Sequence, residues 1–280
     1  MSDDIPFNKY ALVGRELDYV AEAAQSGHLG GDGLFAKRCQ SLLESELKVG
    51  KVLLTSSCTH ALEMAALLLN IRPGDEIIIP AFTFVSTANA FVLRGAKPVF
   101  ADIRSDTFNL DETQLERWIT PLTKAIVVMH YAGVGCEMDI INSLAASREV
   151  IVIEDAAQSL FARYRGQPLG AFGALAAFSF DSAKNFTCGQ GGALIINDER
   201  HIERAEIIRE KGTNRNQFFR GGVDKYTWVD VGSNYLLSEI AAAYLYAQLE
   251  MRERVQARRR QIFDHYENGL REWAAANGVK

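Results

Sequence analysis

Short apolar runs alternate with amphipathic stretches along most of this chain. Apolar runs rich in Val, Ile, Leu or Phe, with little polar alternation, are typical of strands buried on both faces. By this criterion, strands are predicted in KVLLTSS, EIIIP, KPVFADI, KAIVVMHYAG, EVIVIEDAA, LAAFSF and GGALIIND.

Helical periodicity fills the intervals between these strands. Apolar residues recur every three to four positions in 16–26 and 34–47, and again in THALEMAALLLN, TFVSTANAFVLRG, DETQLERWIT and MDIINSLAASR. A further helix follows the last strand, an irregular stretch covers 211–232, and a long helical region begins at Leu236. Strands that alternate with helices predict an α/β fold, with a mostly parallel central sheet flanked by helices.

The composition is that of an ordinary globular protein, with 280 residues, 48% of them hydrophobic, and a formal net charge of -5. This charge gives no electrostatic footprint for nucleic acid, so we interpret the patch RERVQARRRQ as a solvated helix face rather than a nucleic-acid contact. The first residues, MSDD, lack the features of a secretory signal, and no apolar run is long enough to span a bilayer. We therefore expect a cytoplasmic protein with no membrane insertion.

The cysteines give no sign of a disulfide framework or a zinc site. Cys39, Cys58, Cys136 and Cys188 are scattered, and no pair has C-x-x-C spacing. The segment 130–139 contains His, Cys, Glu and Asp side chains that could be imagined as metal ligands. Its glycines and irregular spacing favour a loop after a strand, so we predict no metal.

Polar residues follow two of the predicted strands at the point where open α/β sheets bind their ligands. The segment 56–59, SSCT, starts a helix, where small residues either bind an anion through free N–H groups or simply cap the helix. Glu154 and Asp155 end a buried strand, where a carboxylate needs a cation or strong donors. They form either a structural salt bridge or helix cap, or a fixed anion that keeps a ligand's ring nitrogen protonated.

Lys184 follows the strand LAAFSF, which contains Ser179, and precedes glycines at 189, 191 and 192. The lysine is either a solvated surface charge or a nucleophile, since a partly desolvated amine can attack a carbonyl. Dinucleotide-binding, P-loop and nucleophile-elbow motifs do not occur in this sequence. The three strand-end features together match what pyridoxal 5'-phosphate (PLP) needs: a phosphate site, a partner for the pyridinium nitrogen and a Schiff-base amine.

Four longer stretches carry a resemblance to a known family. PAFTFVSTANAFVLRGAKPVFADI, VIEDAAQS, FSFDSAKNFTCGQGGALI and GSNYLLSEIAAAYLYAQLE are similar to the DegT/DnrJ/EryC1/StrS sugar aminotransferases. The resemblance covers nearly the whole chain. It implies the PLP-dependent transferase fold type I and amination of nucleotide-linked keto-sugars.

The resemblance also implies roles for particular residues. Lys184 matches the Schiff-base lysine, where a dehydrating branch of the family has histidine, so transamination is expected. Asp155 matches the partner of the pyridinium nitrogen, and Gln158 matches the residue near the cofactor's phenolic oxygen. The remaining matches are Ser179, Cys58 and Thr59 at the phosphate, Phe84 stacked on the ring, and Asn234 reaching the phosphate of a neighbouring subunit.

Substrates and domain organisation follow from the same resemblance. It implies glutamate as amino donor, a dTDP-4-keto-6-deoxyhexose as acceptor, a 4-amino sugar for surface polysaccharide as product, and a homodimer with a shared active site. Residues 1–235 are expected to form the large PLP-binding domain and 236–280 a long connecting helix toward a small C-terminal domain that is missing. The alternative is a truncated, catalytically inactive remnant that binds only PLP or a partner.

Overall fold

The computed structural model describes residues 9–279 and contains one large mixed sheet. Its strands are β1 (Lys51–Thr55), β2 (Glu76–Pro80), β3 (Lys97–Ala101), β4 (Thr123–Met129), β5 (Ile151–Asp155), β8 (Leu175–Ser179) and β9 (Gly192–Ile196). Each lies within or overlaps a predicted strand, so these predictions are confirmed. A two-stranded hairpin, β6 (Arg163–Tyr164) and β7 (Gln167–Pro168), was not predicted.

The strand order in the large sheet is β1-β9-β8-β5-β4-β2-β3. The ladders from β8 through β5, β4 and β2 to β3 are parallel, whereas β9 pairs antiparallel with both β1 and β8. All strands except β9 therefore point the same way, and their carboxyl ends meet at one edge. This confirms the mostly parallel sheet and places the strand-end residues together.

Helices cover both faces of this sheet. They are α1 (Glu16–Gln25), α2 (Leu34–Leu47), α3 (Cys58–Leu68), α4 (Val85–Val92), α5 (Met138–Ser147), α6 (Ile202–Arg209), α7 (Arg215–Phe219), α8 (Glu239–Glu250) and α9 (Arg252–Ala276). Three short 3-10 helices, Glu112–Trp118, Tyr131–Gly133 and Glu199–His201, complete the described elements. The segment DETQLERWIT, predicted as an ordinary helix, is the first of these 3-10 helices, and α7 lies within the stretch predicted as irregular.

Alternate side chains of each strand enter opposite layers of the core. Leu53 of β1 packs with α3, α4 and α6, whereas Val52 and Leu54 pack with α1, α2 and α8. A third cluster lies between β2, β4 and α5. Because both faces are buried for every strand of this sheet except β3, these strands are apolar at most positions.

The C-terminal helical region is divided at Met251. Helix α8 is part of the core, since Ala242, Leu245 and Leu249 are buried. Helix α9 extends for 25 residues and buries none of them fully. Whether this region connects to a second domain stays a prediction. No helix within the part of the chain that the structure describes is both long enough and apolar enough to cross a membrane.

Candidate active site

The carboxyl ends of β1 and β8 lie side by side, separated only by the first residue of β9. Gly192 pairs with Thr55 of β1 on one side and with Ser179 of β8 on the other. The chain after Thr55 enters helix α3, and the chain after Ser179 leads to Lys184. The sheet register therefore brings the predicted anion site and the predicted nucleophile to the same edge.

The start of α3 forms a small-residue cradle at this edge. Ser57 caps the helix, because its side chain accepts a hydrogen bond from His60 N at 3.1 Å. The N–H groups at the start of the helix have no partner within the helix, as at every helix N-terminus. A Cβ atom at Gly192 would lie 2.3 Å from Cys58 N, which means that only glycine permits this close approach. Thr59 Oγ1 donates to Ser86 Oγ at 2.9 Å and ties the cradle to α4.

Cys58 is the first residue of α3 in this cradle. Burial raises the pKa of its thiol well above the ordinary value, although the charge of Lys184 acts in the opposite direction. The thiol is therefore protonated at neutral pH and adds no negative charge. An anion bound at the helix start meets N–H groups and a neutral side chain.

Asp155 is buried at the end of β5, with 3% of its surface exposed. Its Oδ2 accepts the hydroxyl proton of Thr87 at 2.6 Å, and its Oδ1 accepts Ala157 N–H at 3.2 Å. Burial raises the pKa of Asp155 above its ordinary value, and these two hydrogen bonds and the charge of Lys184 reduce that rise. A buried carboxylate with so little compensation is suited to a cationic partner.

Glu154, the neighbour of Asp155, has a different, structural environment. Its carboxylate accepts three backbone N–H groups, from Gly170, Phe172 and Gly173, each at 2.7 Å. His130 Nε2 lies 2.8 Å from Glu154 Oε2. Burial raises the pKa of Glu154, but the bond from His130 and the backbone donors outweigh it and hold the pKa below its ordinary value. Of the two carboxylates left open by the sequence, Glu154 is thus the internally satisfied one.

His130 belongs to segment 130–139, whose side chains could be imagined as metal ligands, and its hydrogen bonds are all to protein groups. Its Nδ1 accepts Cys136 N–H at 3.2 Å, so the ring proton is on Nε2 and is donated to Glu154. Among residues 9–279, no group of three or more His, Cys, Asp or Glu side chains is placed to hold a metal ion.

Gln158 lies on the loop that follows Asp155 and lines the cleft that also contains Lys184. Its Oε1 accepts Ala132 N–H at 2.7 Å, which fixes the orientation of the amide. Ala132 adopts a left-handed φ of 52°, an uncommon conformation for a residue with a side chain. The strained turn aims its N–H at Gln158 and leaves the amide nitrogen available to a ligand.

Lys184 is half-buried in a turn that Asp181 organises. Asp181 O accepts Lys184 N–H and Asp181 Oδ1 accepts Ala183 N–H, both at 2.9 Å, while Asp181 N–H is 3.3 Å from Ser179 Oγ. Lys184 opens onto a cleft of about 860 Å³. Gln158 and Ser179 line the same cleft, together with residues of α9.

Five predicted residues are absent from the lining of this cleft: Cys58, Thr59, Phe84, Asp155 and Asn234. Phe84 is the residue before α4, with 68% of its surface exposed, and its carbonyl accepts Thr87 N–H. It therefore starts the same helix turn that reaches Asp155. Asn234 is exposed, and its backbone forms an isolated bridge with Glu210.

Three features of the site were missed in the sequence. Thr87 and Ser86 bind Asp155 and Thr59, and their only signal was the TFVST run that begins a helix directly after a strand. The basic patch on α9 is exposed, as the sequence predicted, but its arginines Arg259 and Arg260 also line the cleft, which the sequence did not indicate. Nothing local in the sequence connects that patch to Lys184.

Comparison with known proteins decides which family this arrangement represents. The sequence model of the DegT/DnrJ/EryC1/StrS aminotransferase family matches residues 11–279. The chain belongs to this family.

Several relatives are similar over most of the chain. GDP-perosamine synthase from Escherichia coli O157:H7 is 34% identical over 267 residues, covering 95% of this chain and 71% of the relative. GDP-perosamine synthase from Caulobacter vibrioides is 36% identical, covering 92% and 68%. Spr1654 from Streptococcus pneumoniae, assigned as a sugar aminotransferase, superposes with a TM-score of 0.87 in its PMP form at 28% identity, covering 95% of this chain and 72% of that one.

These comparisons confirm the fold and the cofactor. The same S. pneumoniae protein has also been solved in a PLP form, and the family is PLP-dependent. The aminotransferase fold with its mostly parallel sheet is confirmed, as is sugar amination in its general form.

The residues at the strand ends fit this cofactor. Gly192 leaves the start of α3 open where a Cβ would fill it, and free helix N–H groups there suit a phosphate. Asp155 supplies a buried carboxylate for a ring N–H, and Lys184 supplies an amine on the same cleft as Ser179.

Proposed function

We propose that this protein is a transaminase that moves an amino group from glutamate to a dTDP-linked 4-keto-6-deoxyhexose and yields a 4-amino sugar nucleotide. The observation that carries the proposal is the position of Lys184, which shares one cleft with Ser179 and Gln158 and whose charge offsets part of the burial-induced rise in the pKa of Asp155. An amine, a buried carboxylate and an anion cradle at one sheet edge are the groups that PLP chemistry requires.

Each residue has a role in this proposal. When bound, PLP supplies an electron sink for the carbanion that forms at the carbon bearing the amine. Asp155 holds the ring nitrogen protonated, and Thr87 orients Asp155. Lys184 Nζ is the amine that would hold the cofactor and that would move the proton at the reacting carbon. Ser179, Thr59 and the N–H groups from Cys58 onward hold the phosphate, Gln158 orients the phenolic oxygen, and Phe84 stacks on the ring.

The nucleotide is the less constrained part of the proposal. The stretch REKGTNRNQFFRGGVDKYTWVDVGSNYLLS resembles dTDP-4-amino-4,6-dideoxygalactose transaminase of enterobacterial common antigen synthesis. Two relatives are instead named GDP-perosamine synthase. We favour dTDP on the local resemblance, and both nucleotides enter the test.

The test measures the product directly. Protein reconstituted with PLP is incubated with glutamate and either dTDP-4-keto-6-deoxyglucose or its GDP-linked counterpart, and aminated sugar is detected by mass spectrometry. We expect amination of the dTDP sugar, and loss of both product and the cofactor's visible absorbance band in Lys184→Ala. Lys124→Ala, an exposed lysine on β4, is the control. Amination of only the GDP sugar would overturn the choice of nucleotide, and bound cofactor without amination of either sugar would favour the inactive remnant.

We also propose that two chains form the working unit, with Asn234 reaching the partner's phosphate site. Its exposure, and its absence from the cleft around Lys184, support a role in the partner subunit. Mixing Lys184→Ala chains with Asn234→Ala chains tests this, because a mixed dimer then has one intact site only if Asn234 acts across the interface. Recovery of activity on mixing is expected, and its absence would contradict the shared site.

A further inference from the structure

Helix α9 presents one face to the cleft that contains Lys184. Gln256, Arg259, Arg260 and Phe263 line the cleft and follow one another at helical spacing of three, one and three residues. Positions i, i+3, i+4 and i+7 lie on one side of a helix. Along the helix, this side therefore presents to the cleft first an amide, then two guanidinium groups and then an aromatic ring.

The two guanidinium groups on this face have no anionic partner within the part of the chain that the structure describes. Of the other arginines of α9, Arg252 and Arg271 pair with the carboxylates of Glu46 and Glu267. The remaining two donate to neutral oxygens, Arg254 to Val13 O and Arg258 to Gln261. Neither Arg259 nor Arg260 forms an ion pair with any residue in 9–279. Helix α9 therefore leaves unpaired the two arginines that face the cleft.

The described lining of the cleft contains no carboxylate that could neutralise these charges. Its charged side chains are Lys184, Arg259 and Arg260, all positive. Both arginines are exposed, and a guanidinium stays protonated at neutral pH. Cationic groups without an anionic partner, converging on one cleft, favour an anionic ligand.

We propose that this α9 face is the subsite for the nucleotide diphosphate of the acceptor, with Arg259 and Arg260 on the two phosphates and Phe263 against the base. This rests on the proposed function and names the part of the chain that would select its acceptor. Two adjacent guanidinium groups match the two charges of a diphosphate, and guanidinium forks bind phosphate oxygens bidentately. Phe263, one turn further and 65% exposed, offers a stacking surface that a nucleobase can cover and that glutamate cannot.

The test uses the PLP-loaded protein and dTDP, which lacks the reacting sugar, with affinities measured by calorimetry. We expect Arg259→Gln and Arg260→Gln each to weaken dTDP binding about tenfold or more. Arg258→Gln removes the same charge from a neighbouring position that does not line the cleft and should change binding less than about twofold. Restoration of part of the affinity by Arg260→Lys would fit charge recognition.

Phe263 is tested with two probes. Phe263→Ala should weaken binding of dTDP but leave binding of inorganic pyrophosphate unchanged, whereas Trp273→Ala, an exposed aromatic further along α9, should affect neither. Equal losses for dTDP and pyrophosphate would overturn the assignment of the base.

The glutamate half-reaction separates this proposal from its rivals. In the arginine variants the conversion of bound PLP by glutamate, followed in the visible spectrum, should match wild type, and the KM for the sugar nucleotide should rise. A loss of glutamate affinity in place of dTDP affinity would assign the arginines to the donor and overturn the proposal. Equal dTDP affinity in all variants would also overturn it. Failure of the proposed function gives a different result. In that case dTDP binding still depends on both arginines, but the wild-type protein aminates no sugar.

Discussion

Thr87 donates its hydroxyl proton to Asp155 Oδ2 at 2.6 Å and joins the first turn of α4 to the end of β5. The two residues are 68 positions apart in sequence. Because the carboxylate is buried, this bond favours its charged form against the effect of burial. Helix α4 thus favours the charged form of the carboxylate that we propose as the partner of the cofactor's ring nitrogen.

Removing this donor should weaken cofactor binding. In Thr87→Val, Asp155 loses its shortest hydrogen bond, so its pKa should rise further and its charge should hold the ring nitrogen less strongly. We expect roughly tenfold lower PLP affinity, since a hydrogen bond to a charged group contributes about 1.5–3 kcal/mol. Titration of apoprotein with PLP, followed by absorbance, measures it. Thr113→Val removes a similar 2.6 Å bond to half-buried Asp111 and should leave PLP affinity unchanged; equal losses in both variants would contradict the prediction.

Neutralising Asp155 should stabilise the protein without cofactor. Its pKa is raised in the folded state, so between the ordinary value of 3.8 and the raised value the folded state holds more protons than the unfolded state. The free energy of unfolding therefore falls as pH rises through this window, and the full penalty persists at neutral pH. Asp155→Asn removes the penalty, so its apoprotein should melt at a higher temperature than wild type at pH 7 while binding PLP poorly.

Asp198 is the control, because its pKa shift, and therefore the expected change in melting temperature, has the opposite sign to that of Asp155. Arg200 lowers the pKa of Asp198 to about 2, so that carboxylate contributes stability above its ordinary pKa and loses it as pH falls. Asp198→Asn should therefore melt slightly below wild type at pH 7. Calorimetric scans of apoprotein across pH compare the two variants, and an Asp155→Asn protein that melts below wild type at pH 7 would refute the argument.

Glu154 should matter for stability more than any exposed carboxylate. In Glu154→Gln, three buried N–H donors face an amide in place of a carboxylate with two accepting oxygens. We expect the free energy of unfolding to fall by about 3–5 kcal/mol, which is the range for removing one partner of a buried charged network. The lowered pKa of Glu154 means that wild type keeps this stabilisation above its ordinary pKa and loses it as pH falls below that value. Urea unfolding measures it, with Glu137→Gln as control, for which a change under about 1 kcal/mol is expected.

Gly192 should tolerate no side chain. In Gly192→Ala the new Cβ would lie 2.3 Å from Cys58 N and 2.6 Å from Ser57 O, so β9 and the start of α3 must separate. We expect weaker binding of inorganic phosphate to the apoprotein and a lower melting temperature. Gly269→Ala makes the same change on α9, where nothing lies within 4 Å, and should stabilise the protein by about 0.4–1 kcal/mol. Unchanged phosphate binding in Gly192→Ala would show that the cradle is not where phosphate binds.

The sequence predicted those parts of the fold that depend on local pattern. Helix α2 has its predicted bounds, Leu34–Leu47, because a clear apolar stripe begins and ends there. The direction of β9 was not predictable, since an apolar run reads the same in a parallel and an antiparallel ladder. Lys184 and Asp155 were identified because strand ends converge, whereas Thr87 and Arg259 were not, because their contacts depend on how α4 and α9 pack. Such contacts leave no period or spacing in the sequence.

The position of β9 also sets the order in which the protein can become functional during synthesis. β1 is complete within the first 55 residues, yet its only strand partner in the described sheet is β9, which ends at Ile196. Pairings between such distant segments form slowly, because a long loop must close first. The cradle at Cys58 therefore leaves the ribosome early, and nearly half of the chain must still be synthesised before Gly192 and Ser179 can complete it. We therefore expect the protein to bind its cofactor only after β9 has paired with β1 and β8, which is a late event in folding.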